Sequence, residues 1–155
     1  LNKVDLKLIQ HHGKEDNEYI RSLRNKNNEN NKIIEIWKAV SIDNIDKIKK
    51  FNNEIYEYKD NNNKLIRRKL IDKYLIDGVN PGSGQEYSLN TLDYIPEEAK
   101  IFLAGGINPN NVKEKIKAIN PFGIDVSSGV EYIDEHGLRK KSYEKIKLLI
   151  ENAKK

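Results

Sequence analysis

The chain has 155 residues, of which 37% are hydrophobic and 34% charged, and it carries a net charge of +4 at pH 7. This length predicts a single domain over residues 1–155, with enough isoleucine and leucine to build a core. It is short for a complete eightfold β/α barrel, which takes about 250 residues. The sequence contains no cysteine, which excludes a disulfide, a thiolate nucleophile and a cysteine metal site within these residues.

The charge pattern argues against two classes of partner. Basic residues are spread along helical faces and form no block, which is more typical of solvated helices than of nucleic-acid binding. A mild positive balance would also suit a phosphorylated substrate. No apolar run is long enough to span a membrane and no signal peptide is evident, so we expect a cytoplasmic protein.

Because the chain opens with Leu1 and contains no methionine, we expect that its start was removed or that it is a piece of a longer protein.

The first half of the chain alternates strands and helices. Strands are predicted over 4–10 and 33–40, with a helix over 15–24 between them. Ser41 or Asp43 is expected to cap the next helix, in which Ile42, Ile45, Ile48 and Phe51 keep a helical spacing. Residues 52–70 break this rhythm around the Asp60–Asn63 turn. The flanking pieces are predicted to form either a helix extension or a small hairpin, and we interpret the stretch as an insertion.

The second half returns to the alternating pattern. Strands are predicted over 74–77, 101–104 and 123–126, and helices are predicted to begin at Asn108-Pro109 and at Ser142. Ile146, Leu149 and Ile150 are expected to face inward. Five strands that alternate with helices predict an α/β fold with parallel strands, about five β/α units of a partial TIM (β/α)8 barrel.

Small residues follow three consecutive predicted strands, where ligands bind in α/β proteins. Glycine lets the backbone approach a ligand, and backbone N–H groups bind phosphate. Three such loops in register favour a phosphate site over plain turn chemistry, which is the alternative. The candidate residues are Gly82, Ser83, Gly84, Gly105, Gly106, Ser127, Ser128 and Gly129.

Three polar side chains end predicted strands and are further candidates. Asp77 ends an apolar strand, where a partly buried carboxyl could act as a general acid, although a helix cap or a salt bridge would explain it as well. Gln10 and His12 lie at the end of the first strand and could contact substrate, or could make structural hydrogen bonds. The three histidines of the sequence have no metal-ligand spacing. Asp125 and Glu131 are expected to have structural roles.

Several segments resemble phosphoribosylanthranilate isomerase. Residues 103–112, LAGGINPNNV, are similar to the family's LAGGLxPxNV segment, and residues 123–131, GIDVSSGVE, to its GVDVSSGVE segment. Residues 9–13, IQHHG, resemble QLHG. Residues 74–77, YLID, match the strand that ends in the family's general acid. Residues 81–84, PGSG, resemble its GGTG loop.

The resemblance implies a reaction and roles for the candidates. The family catalyses the Amadori rearrangement of N-(5-phosphoribosyl)anthranilate in tryptophan biosynthesis and needs no metal or organic cofactor. Asp77 would be the general acid, and the glycine and serine loops would hold the phosphate. The matched segments begin at the family's fourth strand, so the first three units and the general-base cysteine are expected to be absent. The family's basic-acidic pair near the C-terminus reads Arg139-Lys140 here.

Two alternatives remain at this point. A non-catalytic half-barrel could bind a sugar phosphate, associate with itself, or pair with another chain, because an open sheet exposes strand edges and apolar faces. A related barrel isomerase of the histidine pathway is also conceivable, although the QxHG-like and SSGVE segments argue against it.

Overall fold

The computed structural model describes residues 6–29, 33–77 and 95–154. The predicted phosphate-loop residues Gly82, Ser83 and Gly84 lie outside these ranges. Nine strands are described: β1 (Leu8–His11), β2 (Glu35–Ser41), β3 (Ile55–Lys59), β4 (Leu65–Lys69), β5 (Lys73–Asp77), β6 (Ile101–Leu103), β7 (Gly123–Ile124), β8 (Glu131–Ile133) and β9 (Arg139–Lys141).

A five-stranded parallel sheet organises the chain, in the order β1-β2-β5-β6-β7. Each neighbouring pair is parallel, and the register places Ser41 opposite Asp77 and Leu103 opposite Ile124. The carboxyl ends of all five strands therefore lie along one edge. The prediction of an α/β fold with parallel strands is confirmed.

Four α-helices accompany the sheet in the described part of the chain: α1 (Asn17–Glu29), α2 (Asp46–Asn52), α3 (Val112–Ile119) and α4 (Tyr143–Ala153). The last helix begins directly after Ser142, in agreement with the predicted start, and Ser142 caps it, because its hydroxyl accepts a hydrogen bond from the Lys145 N–H at 3.2 Å. Ser41 precedes a short 3-10 helix, Ile42–Asn44, without a side-chain capping bond. The regular helix α2 begins only afterwards.

The predicted helix start at Asn108-Pro109 is wrong by about one turn, since α3 begins at Val112. Asn108 instead belongs to the preceding turn, where its side chain accepts from the Asn110 N–H at 2.9 Å. Asparagine commonly makes such local bonds, which compete with helical geometry.

Residues 52–70 form a hairpin, which resolves the choice between a helix extension and a hairpin. Strands β3 and β4 pair antiparallel outside the main sheet. Asp60 organises the turn, because its carboxylate accepts from the N–H groups of Asn62 and Lys64, both at 2.9 Å. Asn63 adopts the left-handed conformation with φ of 62°, which asparagine tolerates better than most residues.

The sheet buries one face beneath the helices. Along β2, Ile36 and Val40 are buried and contribute to the core, while Trp37, Ala39 and Ser41 point to the opposite face because side chains alternate along a strand. The core also takes residues from every helix and from the central strands: Ile20, Ile48, Tyr74, Ile76, Leu103, Val112 and Leu149. Full burial of one such apolar side chain contributes about 1.5–3 kcal/mol.

The last helix buries less than its sequence suggests. Leu149 is 7% exposed and Ile146 packs against the core, as predicted. Ile150 is 47% exposed, so its predicted inward position is wrong. Ile150 is rotated by about 100° from Leu149 around the helix axis, because an α-helix has 3.6 residues per turn. It therefore points away from the one side on which α4 packs against its described neighbours.

Candidate functional site

The carboxyl ends of β1, β5, β6 and β7 surround one cavity of about 240 Å³. Its lining includes seven of the residues predicted from sequence to form the site. It is lined by His12, Leu75, Asp77, Ala104, Gly105, Gly106, Ile107, Asp125, Val126, Ser127, Ser128 and Gly129. Polar groups separated by more than one hundred residues in the sequence therefore meet at one edge of the sheet.

Asp77 occupies a central place at this edge. It also lines an adjacent cavity of about 270 Å³ together with His12, Ala39, Val40 and Ser41. The side chain is exposed at the end of β5, whereas we had expected partial burial. Its carboxyl group can therefore reach a ligand in either cavity.

Gln10 and His12 lie beside each other at the end of β1. The Gln10 side-chain amide is hydrogen-bonded to Nε2 of His12. His12 lines both cavities, whereas Gln10 lies two residues earlier, on β1, and lines neither of them. The structure thus brings His12 to the site, and Gln10 contacts the site only through its bond to the imidazole.

The neighbouring His11 points to the opposite face and is buried. Its ring packs edge-on against Tyr19, and Nδ1 lies 3.7 Å from the Glu15 carboxylate. Glu15 in turn accepts a 2.6 Å bond from Lys38, a lysine that is only 4% exposed and that also donates to the Gly13 carbonyl at 2.8 Å. This cluster fixes the loop that follows His12, and no pattern in the sequence indicated it.

Burial lowers the pKa of His11 below 6.5, an effect that the carboxylate of Glu15 opposes. The folded protein therefore holds His11 neutral at a pH where the unfolded chain has already bound a proton. We expect the free energy of unfolding to fall as the pH drops below 6.5, until the lower pKa of the folded state is reached. One proton changes this energy by at most about 1.4 kcal/mol per pH unit.

The measurement is urea unfolding from pH 7.5 to 5.0 for the unsubstituted chain and for His11→Gln. The substitution should flatten the slope below pH 6.5. His136→Gln is the matched control, since the His136 ring is 74% exposed. An equal slope in the chain and in His11→Gln would contradict the assignment.

The loop after β6 is shaped by two glycines and an asparagine. Gly105 and Gly106 have φ of 80° and 61°, a conformation that other residues adopt only with strain. Asn111 donates to the Gly106 carbonyl at 2.9 Å and accepts from the Asn108 N–H at 2.8 Å. Asn111 therefore holds the glycine loop in place, and only its place in the Asn-Pro-Asn-Asn run hinted at this role.

The loop after β7 packs closely on the loop after β6. A Cβ atom added at Gly129 would lie 1.8 Å from the backbone oxygen of Ile107. Because that contact is with backbone, any side chain at this position must displace one of the two loops. One wall of the cavity is thus formed by Ser127, Ser128 and Gly129, and the opposite wall by Gly105 and Gly106. The close contact at Gly129 fixes the distance between the two walls.

The opposite end of the strands holds a larger cavity of about 490 Å³, and none of the predicted site residues that the structure describes lines it. Within the described ranges, no cluster of three or more histidine, aspartate or glutamate residues has a metal-binding arrangement. None of the helices of the described part is long and apolar enough to cross a membrane.

Comparison with known proteins decides which family this site belongs to. The model of the N-(5'-phosphoribosyl)anthranilate (PRA) isomerase family matches residues 1–152. The chain belongs to this family. The PRA isomerase of Clostridium beijerinckii is 39% identical over 99% of this chain and 67% of its own length. That of Methanococcus aeolicus is 40% identical over 99% of this chain and 66% of its length.

Solved PRA isomerases have a similar fold. The enzyme from Thermotoga maritima superposes with a TM-score of 0.63 at 28% identity, covering 96% of this chain and 62% of that one. A PRA isomerase in complex with reduced 1-(o-carboxyphenylamino)-1-deoxyribulose 5-phosphate gives a TM-score of 0.61 at 27% identity, over 96% of this chain and 60% of that one. This chain thus spans about two thirds of the length of its curated relatives.

Proposed function

We propose that this chain supplies the phosphate-binding wall and the general acid of a cytoplasmic PRA isomerase. The observation that carries the proposal is the convergence of Asp77, His12 and the loops at 105–106 and 127–129 on one cavity. Close glycine backbone suits a phosphate group, and a carboxyl group opposite it suits proton transfer to a sugar. Gly82, Ser83 and Gly84 are proposed to extend the phosphate site.

The proposed reaction is an Amadori rearrangement of N-(5'-phosphoribosyl)anthranilate. Asp77 donates a proton to the furanose ring oxygen as the C1–O bond breaks, and the nitrogen lone pair forms a protonated imine (iminium) between C1 and the anthranilate nitrogen. A base then removes the proton from C2, and the resulting enolamine becomes the 1-deoxyribulose phosphate. We propose that His12, which is bonded to Gln10, contacts the sugar.

The base is the part of the mechanism that these residues do not supply. Resemblance to the family assigns this role to a cysteine, and the sequence contains none. We therefore assign the acid and the phosphate site to this chain, and place the base on polypeptide outside these 155 residues. General acid and general base catalysis each accelerate a reaction by about 100- to 10,000-fold. A chain that holds the acid without the base would therefore lose most of the isomerase rate.

The experiment that tests this proposal is binding of reduced 1-(o-carboxyphenylamino)-1-deoxyribulose 5-phosphate by calorimetry. The chain should bind it, and Gly129→Ala should weaken binding by at least about tenfold, because the Cβ atom forces the two phosphate loops apart. Gly137→Ala is the matched control. Its Cβ atom would meet nothing within 4 Å, although φ of 76° makes it strained, so stability falls without a change in binding. Failure of the unsubstituted chain to bind would reject the proposal.

A second candidate function, association with another chain, is favoured by the face of the sheet that no described helix covers. Trp37 and Phe102 stack with ring centroids 4.3 Å apart on this face, and Phe122 packs against Phe102 while remaining 59% exposed. Strands β1 and β7 are the edges of the sheet. We propose that further polypeptide covers this face, either a second copy or a partner chain. Light scattering after size-exclusion chromatography distinguishes an associating chain from a monomer.

A further inference from the structure

The cavity at the carboxyl ends of the strands has an unexpected charge for a phosphate site. Its lining contains two carboxylates, Asp77 and Asp125, and no lysine or arginine among the described residues. Backbone N–H groups can hold a phosphate dianion, but two nearby carboxylates oppose it. Cations close behind the lining would offset this repulsion.

Such charge lies behind the loop that follows β7, on the hairpin formed by β8 and β9. Lys141 donates to the Ser127 carbonyl at 2.9 Å, to the Ser127 hydroxyl at 3.1 Å and to the Glu131 carboxylate at 2.6 Å. The ammonium group thus contacts both polar oxygens of a residue that lines the cavity. The Lys141 side chain is 49% exposed, so it stays hydrated on its outer side.

Glu131 gathers further cations at the same place. Lys145 donates to its backbone carbonyl at 2.6 Å, and Arg139 lies 4.0 Å from its carboxylate. Lys141 holds the pKa of the Glu131 carboxyl below its usual range, so the carboxylate is charged. Three cations thus surround Glu131 and its single negative charge, and Lys141 is the one that contacts Ser127.

We propose that Lys141 is a positioning residue for phosphate binding: it fixes the Ser127 loop and supplies the positive charge that the cavity lining lacks. This inference rests on the proposed function, because it assigns the phosphate group to the loop at 127–129. Lys141 does not need to touch the phosphate. It orients the Ser127 peptide and hydroxyl from behind, and its field favours a dianion on the other side of the loop.

The test is a titration with inorganic phosphate, followed by the amide NMR signals of residues 127–129. Lys141→Gln should weaken phosphate binding about tenfold at low salt, the effect of losing one charge-assisted contact. Lys141→Arg keeps the charge and should stay within about threefold of the unsubstituted chain. The difference between Lys141→Gln and the unsubstituted chain should shrink as salt is raised, since screening weakens a charge effect and leaves a purely structural one.

Lys140→Gln is the matched control, because Lys140 lies on the same strand and pairs with Asp134 at 2.8 Å, away from Ser127. It should bind phosphate like the unsubstituted chain. If Lys141→Gln and Lys140→Gln bind equally well, this inference is overturned while the proposed function stands. If the unsubstituted chain shows no phosphate-dependent shifts at residues 127–129, the proposed function fails and this inference fails with it.

Discussion

Asp77→Asn should lower isomerase turnover by about 100- to 10,000-fold in the gene product that contains these 155 residues, because the amide cannot protonate the ring oxygen. Asparagine has nearly the same size and still lines both cavities, so binding of the reduced product analogue should stay within about threefold. Turnover is followed by the loss of anthranilate-adduct fluorescence, and binding by calorimetry on the same samples.

Asp125→Asn is the matched control for charge, since Asp125 lines the same cavity and has an expected structural role. It removes one carboxylate from the site without removing the proposed acid. The two variants should therefore separate by at least about tenfold in turnover. Equal losses would mean that the cavity needs negative charge and not a proton donor at position 77.

Arg24→Met should lower the free energy of unfolding by about 3 kcal/mol or more, because it leaves several buried acceptors without a donor. The Arg24 side chain is 3% exposed. It donates to the Leu70 carbonyl at 2.8 Å, to the Ile34 carbonyl at 3.2 Å and to the Asp72 carboxylate at 2.8 Å. The guanidinium thus joins α1, the start of β2 and the end of the hairpin. Methionine fills much of the volume but replaces none of these bonds.

Arg67→Met provides the comparison for this variant. Arg67 lies on the same hairpin and pairs with Glu57 at 2.7 Å, but its side chain is 70% exposed. Solvent-exposed ion pairs contribute about 0–1 kcal/mol to the free energy of unfolding. Urea denaturation measures both variants. A loss at Arg24 no larger than that at Arg67 would contradict a joining role for the buried guanidinium.

The candidate site could be predicted from sequence to the extent that it depends on strand ends. Asp77, Gly105, Gly106 and Ser127 each follow an apolar run directly, and parallel strands bring such positions to one edge of a sheet. Asn111 and Lys141 could not be found in this way. Asn111 contacts the Gly106 carbonyl within its own turn, where its place in the Asn-Pro-Asn-Asn run was the only signal. Lys141 contacts Ser127, fourteen positions away, and that contact leaves no local pattern.

The fold likewise divides into features that local sequence patterns predict and features that depend on contacts between distant residues. The alternation of apolar runs and amphipathic segments, read from the sequence alone, predicted the parallel α/β class, the strands of the main sheet and the helix start at Ser142. Periodicity is a local property, so it predicts elements reliably. Only the tertiary structure decided that residues 52–70 form a hairpin rather than a helix extension, because a buried arginine from α1 binds the hairpin's end.

Tertiary contacts also decided how each element is buried. The sequence of α4 presents Leu149 and Ile150 as equally apolar, yet one is 7% and the other 47% exposed, because only one side of the helix has a neighbour in the described structure. Lys38 is buried in the middle of a strand because Glu15 and the Gly13 carbonyl, from a distant loop, satisfy its ammonium group. The sequence determined the strands of the parallel sheet and the small-residue loops that follow them. The three-dimensional packing determined which polar groups hold those loops in place, because hydrogen bonds between distant residues exist only once the chain has folded.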